Sequence, residues 1–133
     1  MLRDVYSGRS KSLGEEDLRT LTAANNYAMS LKFQRRFEEA KVLLRKQIPV
    51  ARRVLGDSHD LMLRMRWIHA EALYKDDGAT LDDLREAVTT FEDTSRIARR
   101  VFGSAHPTTA EIEECLGYAR AALRARETPP ESS

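Results

Sequence analysis

Residues 13–40 read LGEEDLRTLTAANNYAMSLKFQRRFEEA, and the landmarks of this stretch return twice further along the chain. Leu13-Gly14 recurs 42 residues later as Leu55-Gly56, and after a further 47 residues as Phe102-Gly103. The five additional residues of the second spacing fall at 75–80 (KDDGAT), which we interpret as a lengthened turn. A period of this length with helical rather than strand-like patterning predicts a solenoid of helical hairpins.

The composition is that of one modest globular domain. Of 133 residues, 41% are hydrophobic and 32% are charged, which is enough apolar material for a core. The 22 basic and 21 acidic residues nearly cancel to a formal net charge of +1. Because there is no bulk attraction to polyanions, we expect no nucleic-acid partner.

The sequence carries no signal for a membrane or for secretion. No apolar run approaches the roughly 20 residues of a membrane helix, and the N-terminus lacks the apolar segment of a signal peptide. The lone cysteine, Cys115, excludes an internal disulfide. We therefore expect no membrane partner and an intracellular, cytoplasmic location.

The periodic marks divide the chain into units. We expect one repeat domain over 1–126, followed by a polar, Pro-rich, disordered tail at 127–133. The domain is divided into the tail of a preceding helix (1–13), a first repeat (14–55), a second repeat with the lengthened turn (56–102) and half of a third repeat (103–126).

Residues suited to helix starts recur with the same period. Three residues after each periodic glycine stands a side chain that can cap a helix, and we predict this structural role for Asp17, His59 and His106. Thr80 and Asp83 are spaced as in a capping box. Pro49 falls inside the second helix of the first repeat, where we expect a kink rather than a break.

The landmark residues of the first unit resemble the tetratricopeptide repeats, specifically the long variant of kinesin light chains. In register with that pattern are Leu13, Gly14, Thr20, Leu21, Asn25, Asn26, Ala28, Leu31, Phe37, Glu39 and Ala40. The first unit departs from it at Arg35, where the variant has a glycine. The second helices of the first and second repeats have Gln47 and Thr94 where the variant has alanines. The resemblance implies an all-α, tetratricopeptide-like helical-hairpin solenoid, an α–α superhelix of about five helices.

The resemblance also implies a function, the binding of a protein or peptide ligand on the concave face. Carried position by position, the peptide-binding residues would be Asn25, Asn26, Met29, Lys32, Arg64, Trp67, Glu71, Tyr74, Glu114 and Tyr118. Asn amides pair with a strand backbone, aromatic rings give rigid contact area, and Lys32 and Arg64 suit acidic groups. The alternative is that Asn26 bonds a neighbouring helix and that Trp67 fills the core between repeats.

Self-assembly is the competing hypothesis. Both ends of the array lack a partner helix, and repeat arrays usually need polar caps. Apolar residues of the last helix would then seek a second copy of the chain, forming a homo-oligomer. The candidates for this self-association are Ile112, Leu116 and Leu123.

Other chemistry finds little support in the sequence. The in-phase pairs Arg52-Arg53 and Arg99-Arg100 could contact phosphates of a nucleic acid, although solvated faces paired with nearby acids explain them better. His69 occupies the phase of Tyr27 and Leu116, which indicates a packed ring, and Cys115 lacks an activating motif. No catalytic motif, cofactor fingerprint or metal-ligand spacing occurs, so we expect no enzyme, no cofactor and no metal.

Overall fold

The computed structural model describes Tyr6, Gly14 and residues 17–127. This part of the chain contains five helices and no strand: α1 (Leu18–Phe33), α2 (Phe37–Leu55), α3 (Asp60–Lys75), α4 (Leu81–Phe102) and α5 (Pro107–Glu127). Apart from Tyr6, which is helical, the predicted helix tail at 1–13 lies outside the described residues. Residues 128–133 of the predicted C-terminal tail also lie outside the described residues.

The helices stack in two layers. Each helix packs on the next along the chain, and the first helices of successive hairpins, α1, α3 and α5, also contact each other. The second helices α2 and α4 have no Cα atoms within 8 Å of each other, so their backbones lie farther apart on the outer side. The inner face of the structure is therefore built by α1, α3 and α5. The five stacked helices confirm the predicted all-α helical solenoid.

Three equivalent caps begin the inner helices. Asp17 Oδ1 accepts a hydrogen bond from the Arg19 N–H at 2.8 Å. His59 Nδ1 and His106 Nδ1 accept the same bond, from the N–H groups of Leu61 and Thr108, at 3.0 and 3.1 Å. The predicted structural role of these three residues is confirmed, because each satisfies a donor that the first helical turn leaves unpaired.

The first connection within a hairpin uses a residue in an unusual conformation. Arg35 has φ +59°, in the left-handed region that glycine adopts without cost. It occupies the place where the repeat pattern that the first unit resembles has glycine. The Arg35 guanidinium lies 5.2 Å from the centre of the Phe37 ring, a cation–π contact that offsets part of the backbone cost.

The lengthened turn of the second repeat is tied to the first repeat. Lys41, whose side chain is buried, pairs with Asp76 at 3.2 Å and with Glu38 at 3.0 Å. Burial opposes the charge of Lys41, but the two carboxylates outweigh it and raise its pKa. Thr80 and Asp83 then form the predicted capping box at the start of α4. In α2, the helix continues through Pro49 to Leu55.

The last helix packs its apolar residues against the preceding hairpin. Ile112 and Leu116 are buried in the cluster that α5 forms with Leu73 of α3 and Phe91 of α4, and half-buried Leu123 packs against the same cluster. Ile112 and Leu116 are therefore covered within one chain, and a role of these residues in self-association stays a prediction. One helix buries one apolar face, and the preceding hairpin already covers it.

Candidate functional site

A cleft of about 310 Å³ opens on the inner face between α1, α3 and the start of α5. Five of the predicted peptide-binding residues line it: Met29, Lys32, Arg64, Trp67 and Glu71. Ile68 and Thr108 complete the lining. The residues of α3 recur at spacings of three and four, which places them on one side of that helix. We call this space the inner cleft.

A second depression adjoins the inner cleft on α1. It is lined by Asn26, Met29, Ser30, Phe33 and Gln34, so Met29 borders both spaces. The Phe33 ring is 75% exposed, more than any other large hydrophobic side chain that the structure describes. The ammonium of Lys32 lies 5.0 Å from the centre of this ring. Phe33 was not among the predicted binding residues, because its only signal in the sequence is an aromatic residue at a helix end.

A charged triad forms one wall of the inner cleft. Lys32 Nζ lies 2.9 Å from Glu71 Oε1, and Lys75 Nζ lies 2.8 Å from Glu71 Oε2. The side chains of Lys32 and Glu71 are nearly buried, whereas Lys75 is half exposed. The expectation that Lys32 meets an acidic ligand needs correction, because its ammonium already holds a carboxylate of this chain. The triad keeps a net charge of +1.

Trp67 lies both at the inner cleft and against the core between repeats. Its ring borders the inner cleft and also packs against the buried cluster of α3, α4 and α5. The indole Nε1 is buried, and the Cys115 thiol is a polar group beside it. Trp67 is therefore a rigid wall of the cleft rather than a mobile surface ring.

Tyr74 and Cys115 lie behind this wall. Tyr74 is half-buried and meets Phe91 edge to face, with ring centres 5.9 Å apart. Burial, and then the nearby Cys115 and Glu71, raise the pKa of Tyr74. Burial likewise raises the pKa of the Cys115 thiol, with Glu71 acting in the same direction. Both groups are uncharged near neutral pH, so Cys115 is a packed thiol rather than an activated nucleophile.

The remaining predicted binding residues lie apart from the inner cleft. Asn25 is only 4% exposed and lines neither depression, and its buried Oδ1 has no partner in the described structure. Glu114 and Tyr118 are exposed on α5, where the Tyr118 hydroxyl donates to Glu114 Oε1 at 3.0 Å. This hydrogen bond raises the pKa of Tyr118. An exposed position for Asn25 was therefore a wrong expectation.

One arginine of each outer-helix pair contacts an acidic side chain of the same chain. Arg52 Nε lies 2.8 Å from Asp57 Oδ1, and Arg99 pairs with Glu113. Such pairing favours a solvated face over a phosphate-binding ladder. Among Tyr6, Gly14 and residues 17–127, no group of three or more His, Cys, Asp or Glu side chains is arranged to hold a metal ion. None of the described helices is both long and apolar enough to cross a membrane.

The fold and the inner face define a class, an all-α solenoid of helical repeats. Residues 20–60 match the family model of the tetratricopeptide repeat. This match supports the resemblance of the chain to tetratricopeptide-repeat proteins. The matched segment includes most of α1, all of α2 and the first residue of α3. Such repeats are generally non-enzymatic modules that mediate protein–protein interaction. No curated protein matches the chain.

Proposed function

We propose that this chain is a protein-interaction module that binds an extended peptide segment of a partner across its inner face. The observation that carries the proposal is the inner cleft, in which Met29, Trp67 and Ile68 supply apolar contact next to Arg64 and Thr108. A mostly apolar cleft with a few polar groups is the usual form of a recognition site. Its volume suits one or two side chains of a peptide.

The adjoining depression extends the proposed site along α1. Since Met29 borders both spaces, a peptide with one side chain in the inner cleft can place a neighbouring apolar side chain against exposed Phe33. Aromatic rings and methionines are suited to such contacts because they give large area at low entropic cost. The 42-residue period supports the further proposal that the repeats are of the kinesin-light-chain-like subtype.

Electrostatics suggest which peptides bind. The triad of Lys32, Glu71 and Lys75 carries a net +1, and half-exposed Lys75 can turn toward a ligand at little cost. Arg64 is exposed, and among the described residues its one ion-pair partner is Asp60, four residues earlier on α3. An acidic residue next to an apolar one is therefore the preferred peptide pattern.

Selection from a random peptide library tests this function. Selected peptides are titrated against the unmodified chain and against Met29→Glu, with Val101→Glu as the matched control on the exposed outer side of α4. We expect Met29→Glu to weaken binding by about tenfold or more, which is about 1.4 kcal/mol, and Val101→Glu to have little effect. Equal weakening by the two variants, or no effect of either, would exclude the inner cleft as the binding site.

A further inference from the structure

We infer that the cleft between the outer helices α2 and α4 is a second binding site, for a small oxyanion group such as a phosphate or a carboxylate. This cleft lies on the opposite layer from the inner cleft. The inference is therefore independent of the proposed function. Its volume is about 230 Å³. We call it the outer cleft, and its lining consists of Arg45, Ile48, Pro49, Arg52, Arg66, His69, Glu86 and Thr90.

The outer cleft lies between α2 and α4, whose Cα atoms stay more than 8 Å apart. Arg45 and Arg52 stand on α2, Glu86 and Thr90 on α4, and α3 supplies the floor. The floor consists of Arg66 and His69, which are one turn apart on α3 and therefore lie on the same side of that helix. Donor groups from three helices thus converge on one space.

His69 is the first sign that the outer cleft accommodates a ligand. The ring is 94% buried, and its Nε2 has no hydrogen-bond partner in the described structure. Its Nδ1 lies 3.9 Å from Glu86 Oε2, beyond hydrogen-bond distance. His69 lines the cleft, so a polar ring with unused hydrogen-bonding capacity lies at its floor.

Arg45 is the second and independent sign. It is exposed at the cleft and has no ion-pair partner among the described residues, unlike the other two arginines there. Arg66 pairs with Asp93 at 2.7 Å, and Arg52 pairs with Asp57. The guanidinium of Arg45 therefore keeps its full hydrogen-bonding capacity for a planar or tetrahedral oxyanion.

The other charges around the floor define the chemistry of the ligand. Lys41 lies near His69 together with Arg45 and Arg66, and the carboxylates of Asp83 and Glu86 oppose them. Glu86 is half exposed, so its carboxylate can turn toward solvent when an anion enters. Thr90 contributes a hydroxyl donor. A single oxyanion fits this balance better than a polyanionic chain.

Titration of the full chain with sodium phosphate, followed by amide and side-chain NMR at constant ionic strength, tests the inference. Sodium acetate in a parallel titration distinguishes phosphate from carboxylate. We expect saturable shifts of His69 and Thr90 with at least one of the two anions. Arg45→Ala should weaken this binding by about tenfold, since a hydrogen bond to a charged group is lost.

Two further variants are expected to tighten anion binding and to leave it unchanged, respectively. Glu86→Gln should tighten the binding, because it removes the carboxylate that repels the anion, whereas Arg100→Ala, an exposed arginine of α4 away from the cleft, should leave it unchanged. Shifts that rise linearly with both anions, or equal weakening by Arg45→Ala and Arg100→Ala, would mean non-specific screening and would overturn the inference.

Discussion

Lys32 of α1 and Glu71 of α3 form a nearly buried ion pair, Nζ to Oε1 2.9 Å, that joins the two repeats beside the inner cleft. Lys75 binds the other carboxylate oxygen from the solvent side. The pair fixes the distance between the walls of the proposed binding site. Its two members are 39 residues apart in sequence, so the superhelix itself brings them together.

The substitution Glu71→Gln should destabilise the protein strongly. It leaves the buried ammonium of Lys32 without a counter-charge, which costs about 3 kcal/mol or more in comparable buried pairs. Lys75→Ala is the matched control and should cost less than about 1 kcal/mol, because Lys75 is half exposed. Chemical denaturation of both variants measures the difference. Similar losses for the two would show that the Lys32–Glu71 pair has no special role.

Stability should fall in mild acid because of His69. Burial, and then Arg45, Lys41 and Arg66, lower the pKa of His69 to about 4, from an ordinary value near 6.5. The neutral ring is favoured in the fold, so its contribution is complete above about pH 6.5 and is lost as the pH falls toward 4. The total corresponds to about 3 kcal/mol. Urea unfolding from pH 7.5 to 4 measures it.

The variant His69→Gln separates this contribution from other acid effects. Glutamine keeps a polar side chain of similar size but does not titrate. We expect a flatter dependence of unfolding free energy on pH between about 6.5 and 4 than in the unmodified protein. If the two pH profiles are parallel across this range, the acid sensitivity has another origin.

Arg35→Gly should stabilise the first hairpin. A left-handed conformation costs an ordinary residue about 1 kcal/mol, and glycine avoids that cost. Arg35→Ala is the control, since it loses the same contact with Phe37 but keeps the left-handed strain. We expect the glycine variant to melt at a higher temperature than the alanine variant. The reverse order would show that the strain at Arg35 is negligible.

Leu116→Ala should destabilise the chain itself. Removing a buried leucine costs about 2–5 kcal/mol, and Leu116 packs within the cluster of α3, α4 and α5. Tyr118→Ala, at an exposed neighbouring position, should change stability by only about 0.5 kcal/mol. Thermal unfolding together with light scattering checks both. Unchanged stability of Leu116→Ala with a reduced solution mass would place Leu116 between chains instead.

Much of the fold could be predicted because its signals are local. Gly14, Gly56 and Gly103 all have positive φ, and the side chain three residues after each caps the next helix, as the periodic sequence indicates. Capping depends on a few consecutive residues, so a pattern with a fixed spacing is enough to find it. The same reasoning gave the capping box at Thr80.

The candidate site was less predictable because it depends on which helix faces meet. Asn25 was expected on the surface but is buried with Leu21 and Ala28, four residues before and three after it, and this spacing was the available signal. The pairing of Lys32 with Glu71 and the gap between α2 and α4 depend on the angle between repeats. No local sequence pattern encodes that angle, so neither feature could be read from the sequence.

The most direct test of the proposed function uses Trp67, the only tryptophan of the chain. Its indole N–H gives a single resolved NMR signal from the wall of the inner cleft, and it is followed while a library-selected peptide is added. The account predicts a saturable shift of this signal with the same dissociation constant as binding, lost in Met29→Glu. A peptide that binds fully while the indole signal stays unchanged would contradict it.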